Sequence, residues 1–306
     1  MSNVIQTEEL TKHYGELHAA ESVCLEIKQG EIYGFLGLNG AGKTTTIRML
    51  LGMIRPTRGK AFLFGKKVDP GNMELWNRVG HMVEMPNSYP ELTVTENLEI
   101  FMRLRDIHDS SRITVTIDKL QLGPYRSIKA KNLSLGNAQR LGIAKAMIHH
   151  PDLLILDEPA NGLDPAGIVQ IRELLLDLAG NHGVTIFISS HILGEVSRLA
   201  TRIGIIHEGH MIRESGADQL KNSRYRALHV NTADNKKASE LLHQHGYVTA
   251  TLPDGSLESQ DASAIGRPEK ICALLASREL PPMKLVVYEE DLEHYFFRIT
   301  QTKNGQ

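Results

Sequence analysis

Residues 37 to 44 read Gly37-Leu-Asn-Gly-Ala-Gly-Lys-Thr44, an octet of the form G-x-x-x-x-G-K-[ST]. Before it stands the apolar run Glu31-Ile-Tyr-Gly-Phe-Leu36, which reads as a buried strand entering a tight loop. After it, Thr44 to Leu51 reads as a helix. A glycine loop between strand and helix turns backbone N–H groups toward an anion, and the helix N-terminus adds a favourable dipole. Gly37, Leu38, Asn39, Gly40, Ala41, Gly42, Lys43, Thr44 and Thr45 are therefore candidate nucleotide contacts. Lys43 is expected to reach β- and γ-phosphates, and the Thr44 hydroxyl to bind Mg²⁺. A glycine-rich turn followed by a surface lysine does not account for the complete octet in this setting.

A second segment, Leu153-Leu-Ile-Leu-Asp-Glu-Pro159, reads as a buried strand ending in two carboxylates. A carboxylate buried at a strand end is costly unless a cation compensates it. Mg²⁺ beside Asp157 is that cation in this reading, and Glu158 is placed to accept a proton from an attacking water. In isolation the pair could equally be solvated strand-end acids. Val184–Ile188 is another apolar run suited to a strand buried on both faces. Between the two runs Asp164-Pro165 starts a helix, Ile168, Ile171, Leu175 and Leu178 form its apolar stripe, and Gly180 is its expected stop. Strand–helix–strand alternation argues for an α/β core.

The remaining organisation is coarser. The chain has 306 residues and a formal net charge of −2, which points away from nucleic acid as a partner. Two cysteines, Cys24 and Cys272, read as buried free thiols and suit a reducing compartment. The N-terminus has no secretory pattern, and no apolar window is long enough to span a bilayer, so any membrane-spanning part belongs to another chain. About residues 85–150 read as a mostly helical insert, introduced by the capping box Thr93-Val-Thr-Glu96. Residues 1–30 and about 60–83 read as a small flanking antiparallel sheet. The expected division is a domain over 1–218 and an accessory α+β domain over 219–306. The latter follows the order β-α-β-β-α-β-α, which suits a ferredoxin-like fold. His149 and His150 read as surface residues.

The phosphate loop, Leu133-Ser-Leu-Gly-Asn137, Leu156-Asp-Glu-Pro159, Asn161-Gly-Leu-Asp164 and a segment ending Ser189-Ser-His191 follow the order found in ABC-type ATPases. Over roughly residues 4–218 the sequence resembles that superfamily, and most of all the ATP-binding subunits of bacitracin and lantibiotic exporters or immunity systems. The resemblance implies a P-loop NTPase core with a flanking antiparallel subdomain and helical insert, using ATP and Mg²⁺. It makes Tyr14 the aromatic that stacks on adenine, although a tyrosine packed at a strand edge is a competing reading. It makes His191 a γ-phosphate contact and Asp164 a residue that touches the opposite subunit.

Two positions depart from the common family pattern. Glu84 stands where the family usually has glutamine, as it does in the bacitracin and lantibiotic group. It would lie beside Mg²⁺ and couple the metal site to the insert, unless it is an ordinary loop acid. The usual Leu-Ser-Gly-Gly-Gln signature here has Leu135 for its first glycine and Asn137 for its glutamine. Ser134 and Gly136 are kept, and with Asn137 they would meet a γ-phosphate held by the other subunit.

The implied partners are a second nucleotide-binding subunit, as a homodimer or with a relative, and an integral membrane permease. The chain would then be cytoplasmic and peripheral on the cytoplasmic face of the cell membrane. Competing classes are an ABC ATPase of DNA repair or the ribosome, a P-loop kinase, and a nucleotide-sensing regulator uncoupled from transport.

Overall fold

Every residue of the strand Ile32–Leu36 is buried, because neighbours pair on both of its edges and elements cover both of its faces. The computed structural model describes residues 3–84 and 87–301. Across the sheet the strands run His210–Gly216, Arg202–His207, Ile32–Leu36, Thr185–Ser190, Leu153–Asp157 and Val79–Met82. All neighbouring pairs are parallel except the antiparallel edge pair Arg202–His207 and His210–Gly216. The continuous apolar runs are thus the interior strands of a mostly parallel sheet. Val79–Met82 belongs to this sheet and not to the flanking one, which corrects the sequence reading. With four residues, of which only His81 is exposed, it carries too short a pattern to show which sheet it joins.

The flanking sheet pairs Leu17–Val23, Asn3–Tyr14, Arg58–Leu63 and Lys66–Lys67, with Glu26–Lys28 added to Asn3–Tyr14. Ile5, Leu10 and Leu63 from this sheet share one core with Phe35, Ile47 and Phe187. Burying each such side chain is worth about 1.5–3 kcal/mol, so the flanking sheet is tied firmly to the phosphate-loop helix. The insert contributes Val94–Leu104, Ser111–Lys119 and Leu135–Met147, which pack on one another. Thr93 and Glu96 form the expected capping box. The expected start of the insert, near Met85, lies outside the described residues.

Three local readings are corrected. The helix Pro165–His182 runs past Gly180 and ends at Gly183, whose φ of 66° supplies the left-handed stop. Cys24 is exposed and Cys272 half-buried, because their apolar neighbours, and not they, face the cores. His149 is not a surface residue. It lies just beyond Leu135–Met147, turned against the sheet edge, where a ring nitrogen is 3.1 Å from the Val79 carbonyl and Nδ1 is buried without a partner among the described residues.

Burial, with Arg105 nearby, holds His149 down at about 4. Between there and its ordinary value near 6.5 the unfolded chain binds a proton that the native chain does not. Stability therefore rises with pH through that window and is lost as pH falls. Urea unfolding should show about 2 kcal/mol less stability from this group at pH 5 than at pH 7. His149→Gln, which does not titrate, should reduce that difference by a similar amount; an unchanged slope would count against a buried neutral His149.

The chain divides into two units, Met1–Leu220 and Lys221–Gln306. In the second, the strand order is Ala250–Thr251, Leu257–Ser259, Arg226–Asn231 and Lys284–Glu289, antiparallel throughout. Helices Asn235–Gln244 and Pro268–Ala276 contribute Leu242, Ile271 and Leu275 to a core with Leu228, Val230 and Leu257. This is the split β-α-β arrangement of ferredoxin-like domains.

Candidate nucleotide site

The phosphate loop leaves Ile32–Leu36 at Gly37 and enters the helix Lys43–Leu50. Gly42, at the helix N-cap, has φ 106°, and a Cβ there would stand 2.3 Å from the Ala19 carbonyl oxygen. Only glycine meets both constraints. Ala41 N–H bonds the Leu38 carbonyl at 3.1 Å and the Thr46 hydroxyl bonds the Gly42 carbonyl at 2.9 Å, which closes the turn. Leu38, Asn39 and Gly40 are exposed at its rim. No side chain caps the helix. The N–H groups of Lys43, Thr44 and Thr45 therefore have no intrahelical acceptor and form a built anion seat.

Behind the seat the charged groups converge. The buried Lys43 side chain folds back, its Nζ donating to the carbonyls of Gly37 at 2.7 Å and Leu38 at 3.2 Å. The same Nζ lies 3.1 Å from Glu158 Oε1. The Thr44 hydroxyl donates to Asp157 Oδ2 at 2.8 Å and the Ser189 hydroxyl to Oδ1 at 2.5 Å. Asp157 is only 2% exposed. A carboxylate this buried, held by two neutral hydroxyls, lacks a counter-charge. Thr44 and Asp157 thus form an oxygen donor set that fits a hard divalent cation such as Mg²⁺.

Glu158 adopts a left-handed backbone, φ 51°, which costs a non-glycine residue about 1–2 kcal/mol. Several bonds hold it there. Its N–H donates to the Ser189 carbonyl at 3.2 Å and hydroxyl oxygen at 3.0 Å. Its carbonyl accepts from Gln139 Nε2 at 3.1 Å. The carboxylate then spans Lys43 on one oxygen and His191 on the other, with His191 N at 3.2 Å and Nδ1 at 2.7 Å from Oε2.

The other expected residues are more dispersed. Tyr14 ends its strand 46% exposed, so it is not packed into the edge; Lys12 Nζ lies over its ring, 5.0 Å from the centre. Glu84 is not brought to Thr44 or Asp157. Its carboxylate is paired with Arg48, which lies one turn beyond Thr44 on the same helix. Ser134 caps Leu135–Met147, its Oγ accepting from Asn137 N–H at 3.3 Å. Leu135 covers Gly162, where a Cβ would lie 2.2 Å from Leu135 Cδ2, and Gly136 faces Leu163. Asp164 caps the next helix through Gly167 N–H at 2.9 Å. The Ser134–Asn137 and Asn161–Asp164 segments therefore pack together. Among the described residues, neither is hydrogen-bonded to the phosphate loop of its own chain.

Sequence reasoning missed Ser189, Gln139 and Arg48. Ser189 sits in the Ser189-Ser-His191 segment, where a hydroxyl before the histidine was the available signal. Gln139, five residues past Ser134, carried none. Gln139→Leu leaves the Glu158 carbonyl without this donor, at a cost of about 1–3 kcal/mol. The turnover number of ATP hydrolysis is expected to fall about tenfold at unchanged nucleotide affinity, with Gln139→Lys, which can still donate, retaining most of it. Equal losses in both variants would assign Gln139 to packing alone.

A parallel sheet that feeds a glycine loop and an uncapped helix, beside a strand ending in Asp157 and Glu158, defines a P-loop nucleoside triphosphatase. The ABC transporter family matches residues 20–161. The chain is 42% identical over 301 residues to the bacitracin transport ATP-binding protein BcrA of Bacillus licheniformis, covering 98% of each. It is 37% identical over 219 residues to the lantibiotic transport ATP-binding protein SrtF of Streptococcus pyogenes, covering 72% of this chain and 93% of that one. Among solved structures, cbiO1 of Clostridium perfringens, part of the ABC transporter complex cbiONQ, is similar with a TM-score of 0.66 at 25% identity, covering 73% of this chain and 92% of that one. The dimeric ATP-binding cassette MJ0796, bound to ADP and Pi after hydrolysis, has a TM-score of 0.64 at 26% identity, covering 70% and 98%. The chain belongs to the ABC transporter family, as an ATP-binding subunit with ATPase activity. Among the described residues, no helix is long and apolar enough to cross a membrane.

Proposed function

We propose that this chain powers a separate integral membrane permease that exports a peptide antibiotic of the bacitracin or lantibiotic kind. It would act at the cytoplasmic face of the membrane as a dimer of nucleotide-binding subunits. The observation that carries this reading is the 42% identity to a bacitracin transport ATP-binding protein over 98% of both chains. That span includes the C-terminal unit, which lies outside the family's matched segment.

Within the site, Thr44 and Asp157 would hold Mg²⁺, which when bound offsets charge on the β- and γ-phosphates. The N–H groups of Lys43, Thr44 and Thr45 bind the phosphates, and the exposed Tyr14 ring stacks on adenine. Glu158 accepts the proton of the attacking water, oriented by His191 and by its strained backbone. Ser134, Gly136 and Asn137 are free of the phosphate loop of their own chain, which supports their use against the partner's nucleotide, with Asp164 beside them. Glu84 would carry the state of the site outward. Arg48 joins it to the phosphate-loop helix, and Lys145 of Leu135–Met147 donates to the Asn87 carbonyl and the Ser88 hydroxyl just beyond it.

The test is to express the chain with its permease in a susceptible bacterium and measure growth in bacitracin and in a lantibiotic. A several-fold rise in tolerated concentration, abolished by Glu158→Gln, is the expected result. Unchanged sensitivity to both would overturn the export reading.

A further inference from the structure

The hairpin that presents Tyr14 carries a side-chain cluster outside the nucleotide site. His13 and His18 are directly paired across Asn3–Tyr14 and Leu17–Val23, with their rings stacked 4.0 Å apart and 15° from parallel. Glu21 is three residues beyond His18, a spacing that puts side chains on opposite faces of a regular strand. Here the pairing shifts register between Lys12 and His13, and the irregularity brings Glu21 to the same side as both imidazoles. His13 Nε2 lies 2.5 Å and His18 Nδ1 3.4 Å from the same carboxylate oxygen, Glu21 Oε2. The other oxygen, Oε1, is turned to Arg58 at 3.4 Å, and Arg58 is itself fixed on the Ser22 hydroxyl at 3.1 Å.

From this juxtaposition we propose that His13, His18 and Glu21 form a binding site for a divalent transition-metal cation of the zinc type. The three ligand atoms lie within 4.8 Å of one another. Tetrahedral zinc with bonds of ~2.0–2.2 Å holds its ligand atoms ~3.4 Å apart, so His18 and Glu21 already stand at that separation and His13 has to withdraw by only ~1 Å. A simple ion pair explains His13 and Glu21 but not the second imidazole. An imidazole ligates a metal through the lone pair of a ring nitrogen, and each of these rings turns a nitrogen toward the same carboxylate oxygen.

Glu21 is held in its ionised form below the usual carboxylate range, chiefly by its hydrogen bond with His13. Arg58 on Oε1 orients the carboxylate from behind, as outer partners of metal ligands do. Two nitrogens and one oxygen select zinc, copper or nickel over Mg²⁺, so this site is chemically distinct from Thr44 and Asp157. Three protein ligands leave a fourth position for water. The metal would staple the two strands beside Tyr14. The second strand also reaches the phosphate loop, where the Ala19 carbonyl lies over Gly42.

The test uses the full chain without an affinity tag, stripped of metal and titrated calorimetrically with ZnCl₂ in excess MgCl₂. One equivalent is expected, weakened by more than about tenfold in His18→Asn and in Glu21→Gln. The His18 side chain is 57% exposed, so its replacement leaves the fold intact. Cobalt(II) bound to the unaltered chain should show the visible absorption of a low-symmetry nitrogen–oxygen site, displaced by zinc. No zinc equivalent, affinity in both variants equal to that of the unaltered chain, or no cobalt spectrum would each overturn the site.

Discussion

Replacing Glu158 by glutamine is expected to lower ATP hydrolysis by about 10²–10⁴-fold while leaving ATP binding in place. Glutamine keeps the length of the side chain and one oxygen to accept from His191 N–H. It loses the basicity that in the proposed mechanism would take the proton of the attacking water, and it loses the charge that faces Lys43 at 3.1 Å. Freed from that partner, Lys43 is more available to a phosphate, so affinity should hold or rise. Phosphate release and equilibrium nucleotide binding separate the two effects. Because this variant does not consume its ATP, gel filtration should show a dimer with ATP and a monomer without it. A rate near that of the unaltered chain would remove Glu158 from its role as base, and the absence of an ATP-dependent dimer would count against closure around nucleotide.

The second large effect is expected from Ser134→Arg. Ser134 is exposed, and its hydroxyl accepts the hydrogen bond that caps Leu135–Met147. Losing a cap costs about 1 kcal/mol, too little to unfold the domain. The arginine would stand where the partner's γ-phosphate has to approach, and a misplacement of about 1 Å at a reacting centre costs ~10²-fold in rate. ATP binding to the single chain should therefore persist, while hydrolysis falls roughly a hundredfold and the ATP-dependent dimer is lost. Mixing Ser134→Arg with Lys43→Ala sharpens the test. In the proposed dimer each nucleotide seat would combine one chain's Lys43 with the other's Ser134, so a heterodimer would have one seat intact and one doubly damaged. Partial recovery of activity on mixing is the expected outcome; normal turnover by Ser134→Arg alone would show that the signature segment does not meet a nucleotide.

How much of this was legible in the sequence differs by element. The strand Ile32–Leu36, the loop and the helix Lys43–Leu50 are contiguous, so their pattern is complete within one stretch of chain. The acids of Leu153–Asp157 and Glu158 were readable because the phosphate loop elsewhere in the chain supplies the ligand that such a strand-end pair would serve. Val79–Met82 was misplaced because a four-residue strand is too short for its pattern to show which sheet it joins. His149 was misread because polarity predicts exposure on average, whereas its burial depends on a helix end packing against Val79. Glu84 was read from its likeness to a metal-side residue, and its pairing with Arg48 depends on which turn of the phosphate-loop helix faces it.

The sequence by itself determined the phosphate loop, the acid pair and the order of elements, because each is written in local spacing and periodicity, while the signature variant was read from its resemblance to the family. Only the tertiary structure decided that Lys43 and His191 meet on the two oxygens of Glu158, that Ser189 and Gln139 hold the chain there, and that His13, His18 and Glu21 converge. Those contacts join residues far apart in the chain or across a register shift. Their geometry follows from how strands pair and helices pack, which no local pattern encodes.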